Sequence, residues 1–179
     1  MLYYMYNSKG AIMSKLTPEQ EYIKLYQRMA KLCEQQGWGD PFSYARSKEI
    51  YAAVALGHKV APRYSGADAI GPNGEEYEYK STIGDDPQGS YTGISVQATW
   101  DEQVKYLREE KILKYPNHFM NRFEDGKLVE SWCLTGQQVY DILLPKLEKK
   151  YPTVLDKKDP RLNATVTKTE IKKYGKRII

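Results

Sequence analysis

The sequence predicts an α/β (α+β) fold with a mixed central sheet flanked by helices, and three observations carry that prediction. Helix-start signals followed by apolar residues at helical spacing mark both ends of the chain. Short alternating segments bounded by turn residues fill the middle. The order read from Ser43 to Phe123 is helix, three strands, helix, strand, which buries a sheet under helices. A chain of 179 residues builds one good core and not two, so a single domain is expected over 17–179, with its core at 43–123 and additions at 124–179.

The elements follow in order. Thr17-Pro18-Glu19-Gln20 supplies a capping hydroxyl, a proline in the first turn and an acid near the positive end of the helix dipole. Tyr22, Leu25, Tyr26, Met29, Leu32 and Cys33 then form one apolar face until Gly37. A second helix is expected from Pro41 or Ser43 to Leu56, with Ile50, Ala53, Val54 and Leu56 inside and Gly57 as its stop. Short strands are expected at 59–63 and 67–70. The turn Gly71-Pro72-Asn73-Gly74 is a hairpin signal, and a strand from Glu76 to Thr82 follows it. Tyr91 to Val96 reads as the next strand. A helix from Thr99 or Asp101 carries Val104, Leu107 and Ile112 inward. Asn117–Phe123 and Lys127–Leu134 form a second hairpin, and a helix from Thr135 or Gly136 is expected to be broken or kinked near Pro145. The chain after Tyr151-Pro152 reads as polar and irregular until a last short helix, Thr167 to Tyr174, ends at Gly175.

Composition excludes several classes. With only His58 and His118, a histidine-rich metal site is ruled out, and Cys33 and Cys133 have neither metal-ligand spacing nor a disulfide framework. They suit small buried residues in a reducing cytoplasm, where the protein is expected to reside. No apolar run approaches the roughly 20 residues of a membrane helix. The opening MLYYMYNSKGAIM lacks the pattern of a secretory signal. Residues 1–16 are set apart as an N-terminal extension, with 1–12 read as an upstream addition or a disordered arm because Met13-Ser14-Lys15 suits a natural start. Net charge is +4, which permits a polyanionic partner without demanding one. The densest basic run, Lys168 to Arg177, serves equally as a solvated helix end.

One constellation carries chemistry. If Glu76-Tyr77-Glu78-Tyr79-Lys80 is a strand, Glu76, Glu78 and Lys80 share one face and the tyrosines the other. Asp68 lies across the hairpin from them. Magnesium prefers one or two carboxylates plus waters and substrate phosphate, which Asp68 and Glu78 can offer. Lys80 can steady the negative charge that develops on a phosphate under attack, and the Tyr79 carbonyl is a further candidate ligand. The tripeptide alone is weak, since about one Glu-x-Lys is expected by chance in a chain this long, and a surface strand with a cross-strand salt bridge satisfies it equally.

Ser65-Gly66-Ala67-Asp68-Ala69-Ile70 followed by Tyr77-Glu78-Tyr79-Lys80-Ser81-Thr82 resembles the PD-(D/E)XK restriction-endonuclease-like nucleases. The preceding helix, Arg46-Ser47-Lys48-Glu49-Ile50 with its end at Leu56-Gly57-His58, resembles the flank seen in restriction enzymes. Ala67 stands where the family motif has proline. The resemblance covers roughly the middle half of the chain and implies an αβββαβ core. It implies Asp68 and Glu78 as magnesium ligands (manganese substituting), Lys80 as the water-activating lysine, and Glu49 as the extra acid some members bring from this helix. A plain solvated charge remains open for Glu49. Ser81, Thr82, Gln97, Lys59 and Arg63 are candidate DNA contacts, while His58 and His118 read as structural side chains.

The function expected from this resemblance is a type II restriction endonuclease that hydrolyses double-stranded DNA at a short specific site. It would act as a homodimer, with a cognate DNA methyltransferase in the same system. A homing, junction-resolving or phage DNA-processing endonuclease on the same fold, and a non-catalytic DNA-binding protein, are the alternatives.

Overall fold

The computed structural model describes residues 16–62 and 66–179; the predicted N-terminal extension up to residue 15 and the end of the 59–63 segment lie outside them. Among the described residues the chain is a mixed α+β protein with five α-helices and a mixed six-stranded sheet. No helix there is long and apolar enough to cross a membrane.

Helix α1, Pro18–Gln35, begins with a full capping box: the Thr17 hydroxyl accepts from the Gln20 N–H and the Gln20 side chain accepts from the Thr17 N–H. Of its predicted apolar face only Cys33 is buried; Tyr22, Leu25, Tyr26, Met29 and Leu32 stay exposed. Amphipathic spacing marks a face that wants a partner, and most of this one has none within the described fold. Helix α2, Arg46–Ala55, starts later than expected, because 41–45 is a turn in which Tyr44 takes φ 49°. Its buried residues are Ala52 and Ala53. Val54, expected inside, is 69% exposed, since the sheet meets the alanine side of the helix.

Strands β1 (Lys59–Val60), β2 (Ala69–Ile70) and β3 (Glu76–Thr82) form an antiparallel meander. The Gly71–Gly74 turn is closed by the Gly71 N–H on the Glu75 carbonyl at 2.8 Å, and Gly74 supplies the φ of 90° that favours glycine. The strand read at Tyr91–Val96 is β4, Gly89–Ser95, but it leaves the central sheet. It pairs antiparallel with β7, Arg161–Val166, a strand in the region expected to be irregular. Helix α3, Trp100–Tyr106, capped by Thr99, runs into a π-helical turn at Leu107–Lys111. Strand β5, Asn117–Glu124, returns parallel to β3, and β6, Lys127–Thr135, pairs antiparallel with β5. Helix α4, Gly136–Lys150, then carries Pro145 in its interior. After β7, α5 (Lys168–Tyr174) leads to β8 (Lys176–Arg177), which pairs with β6. The sheet order is β1-β2-β3-β5-β6-β8.

Strand alternation sends neighbouring residues into different cores. Tyr77, Tyr79, Phe119 and Phe123 pack with Ala52 and Ala53 of α2. Met120 and Leu134 join Tyr91, Leu107, Val139, Leu143 and Leu162 in the larger cluster. Each fully buried large side chain contributes about 1.5–3 kcal/mol by leaving water.

His118 stands inside this larger core, fully buried. The Ile112 carbonyl 3.0 Å from Nε2 can only accept, so Nε2 carries the hydrogen, and Nδ1 accepts from the Tyr91 hydroxyl at 2.7 Å. The imidazole thus ties β5 to β4 and to the end of the π-helical turn. Burial pushes its pKa down to about 4. Because the unfolded histidine binds its proton near 6.5 and the folded one only near 4, the contribution of this group is full above about pH 6.5 and falls as pH drops toward 4. The expected loss is on the order of 3 kcal/mol. Denaturant unfolding from pH 7 to 4 should show it as the difference between the native protein and His118→Gln, because Asp68 shifts the native profile in the opposite sense over the same range. A variant with an unchanged pH profile would remove His118 as its source.

Candidate metal-dependent site

The site assembles where β2 runs out. Asp68 immediately precedes the two-residue β2; its N–H donates to the Tyr77 carbonyl at 3.0 Å and its carboxylate Oδ2 accepts from the Tyr79 N–H at 2.7 Å. The side chain thus takes the place a ladder carbonyl would fill, which fixes it beside β3. The register Ile70–Glu76, continued by two residues, sets Asp68 against Glu78 on the same face. Glu78 and Lys80, two apart on β3, form an ion pair through Oε1 and Nζ, and the ammonium also lies 4.9 Å from the centre of the Tyr91 ring. Glu76, the third member of that face, pairs instead with Lys114 at 3.7 Å.

Glu49 comes from α2. Its Oε2 accepts from Arg46 at 3.1 Å, and the same guanidinium donates to the carbonyls of Trp38 at 2.7 Å and Ala61 at 2.5 Å. One arginine thereby holds the α1–α2 connection, the helix and the end of β1 around the acids. On the other side the Tyr115 hydroxyl donates to the Gly66 carbonyl, securing the backbone two residues before Asp68. An open cleft of about 410 Å³, lined in part by Trp38, Tyr44, Arg46, Glu49, Pro62 and Asp68, gives solvent a route to the cluster.

The electrostatics follow from this crowding. Burial, then the negative charges of Glu78 and Glu49, push Asp68 up to about 8, against the Tyr79 N–H and Lys80, which pull it down. A carboxylate so placed is stabilised by a cation. Among the described residues no three His, Cys, Asp or Glu side chains form a group that could hold a metal ion by themselves. Magnesium does not need such a cage, since it keeps most of its waters and takes one or two carboxylates plus substrate oxygens. The Asp68–Glu78 pair fits that mode, and the Tyr79 carbonyl leaves the strand on the same side as the N–H that meets Asp68.

The remaining candidates divide. Ser81 alternates onto the tyrosine side of β3, and its hydroxyl oxygen is buried, which takes it off the face of Lys80. Thr82 uses its hydroxyl to accept the Gly84 N–H at 3.1 Å. Gln97 follows β4 into the second sheet and engages Gln103, Ser95 and Tyr151, none of them in the acid cluster. Lys59 is exposed on β1, and Arg63 lies outside the described residues. His58 bonds the Tyr79 hydroxyl at 2.6 Å and packs on Tyr77 and Phe119. Arg46, Tyr91 and Tyr115 were not singled out by the sequence. Only Arg46, three residues before Glu49 on one helical face, left a readable signal.

No protein-family model matches the chain, and no curated protein matches it.

Proposed function

We propose that the protein is a magnesium-dependent endodeoxyribonuclease, most specifically a type II restriction endonuclease cutting duplex DNA. The observation that carries this reading is the half-buried Asp68 set beside Glu78, with Glu78 paired to Lys80 and Glu49 delivered from α2. The run α2-β1-β2-β3-α3-β5 supports it, because this is an αβββαβ order with β4 inserted as an excursion to a second sheet. On this reading Asp68 and Glu78 hold magnesium or manganese, with the Tyr79 carbonyl as a further ligand. When bound, the ion polarises the phosphoryl oxygen and lowers the pKa of an associated water. Lys80 steadies the negative charge that develops on the phosphate, and Glu78 fixes the lysine's direction. Arg46 keeps Glu49 aimed at Asp68. Two copies are required to cut both strands of a palindromic site, and a methyltransferase of the same specificity would protect host DNA.

The test is incubation of the purified protein with long unmethylated duplex DNA, with and without magnesium. Discrete bands that require magnesium or manganese are expected, with calcium supporting binding without turnover. Lys80→Ala should lower cleavage by about a hundredfold or more with the fold unchanged. Cutting in excess chelator, or full activity in Lys80→Ala, overturns the site. A metal-dependent smear would move the role to DNA degradation or structure-directed processing, and metal-indifferent binding without cutting to a non-catalytic DNA-binding protein.

A further inference from the structure

We infer that the exposed apolar face of α1 is the contact surface for a second copy of this chain, with the two α1 helices packed antiparallel. This deepens the nuclease reading, which needs two copies without saying which surfaces meet, and its test does not rest on cleavage. Tyr22 is 65% exposed, Leu25 56%, Met29 43% and Leu32 48%, and their 3-4-3 spacing draws one seam along the helix. Ile23, Tyr26 and Leu16 widen it. Phe42 stacks on Tyr26 at 3.7 Å between ring centres, which stiffens one border of the strip before any partner arrives.

Charge selects the occupant and its direction. Glu21 and Arg28 are seven residues apart, so they stand at equivalent places on one flank of the seam. Both are exposed, and among the described residues neither has an ion-pair partner. In antiparallel packing a flank meets its own copy. With Tyr22 against Leu25 of the second copy, the two-fold axis falls between Ile23 and Lys24, and Glu21 meets Arg28 of the second copy twice over. Sliding the helices until all four seam residues pair would set Arg28 against Arg28. Parallel packing would set the Glu21 flank against Glu19, Tyr26 and Cys33, which offer it no cation. The helix is therefore complementary to itself in one orientation and one register.

The experiment is sedimentation equilibrium on the full chain without DNA or divalent metal. A species of twice 20.7 kDa is expected. Glu21→Lys and Arg28→Glu should each weaken dimerisation at least tenfold, and the double reversal should restore it, with helical content by circular dichroism the same throughout. Leu25→Glu should give monomer. A wild-type chain that stays monomeric at tens of micromolar overturns the inference, as does a dimer insensitive to these changes. A monomer that dimerises only after deletion of residues 1–12 assigns the face to the chain's own N-terminal segment and equally overturns it. Because no DNA is present, failure here leaves the cleavage test untouched, and failure of cleavage leaves this mass measurement standing.

Discussion

Asp68→Asn is expected to abolish DNA cleavage, by about a thousandfold or more, while making the metal-free protein more stable. A thousandfold is about 4 kcal/mol of transition-state stabilisation, within what loss of a metal-holding carboxylate removes. The asparagine oxygen can still accept the Tyr79 N–H, so the end of β2 keeps its anchor. What disappears is the cost of either confining a charge with Glu78 and Glu49 or protonating the carboxyl to avoid it. The unfolded aspartate ionises near 3.9 and the folded one near 8, so this carboxyl opposes folding progressively as pH rises from about 4 to 8. Removing it should raise stability at pH 7 by on the order of 4 kcal/mol, a melting temperature higher by roughly 10 °C for a chain of this size. Calorimetry without divalent metal reads the gain, and a gel assay with magnesium reads the loss. Unchanged stability together with lost activity would show that the acids do not repel one another in the folded protein.

Gly136→Ala should be strongly destabilising. A Cβ there would sit 2.4 Å from the Tyr115 carbonyl oxygen and 3.4 Å from that of Ile112, both backbone atoms that cannot swing aside. Gly136 also donates its N–H to the Pro116 carbonyl at 2.9 Å, so α4 cannot back away without breaking that bond. The cost should be about 3 kcal/mol or more, roughly a 10 °C fall in melting temperature. The strain reaches the site, because the same loop carries Tyr115 onto Gly66 and the Ile112 carbonyl onto His118. A variant that melts within a degree or two of the native protein would show that the loop yields freely.

Where the local code is strong, sequence and structure agree closely. β3 spans the seven residues its alternation marks, the Asn73-Gly74 turn closes as its chemistry requires, and Thr17, Thr99, Thr135 and Thr167 each cap a helix through a full capping box. Asp68, Glu78 and Lys80 gather as strand geometry dictates. What escaped depends on partners remote in the chain. β4 has a clean strand pattern, but nothing in it says that its mate is β7, and β7 hides its buried Leu162, Ala164 and Val166 between Arg161, Asn163 and Thr165 after a charged turn. The apolar face of α1 was legible; its lack of a partner within the chain was not. Ser81 is a candidate DNA contact by its neighbourhood in sequence, whereas alternation alone places it on the opposite face. The arginine clamp at Arg46 reaches backbone carbonyls 8 and 15 residues away, contacts that no local spacing encodes.

The two-residue β8 bears on handling of the protein. It covers Trp132 and Cys133 at the rim of the sheet, and Ile178 and Ile179 extend the cover through Ser131. At the opposite rim β1 is only two residues long, too brief to template another chain. The nine-residue β6 is therefore the long border with most to hide, and the final four residues of the chain shield its middle. Trimming them would bare unsatisfied amides and carbonyls beside a half-buried tryptophan, and such a stump invites edge-to-edge aggregation.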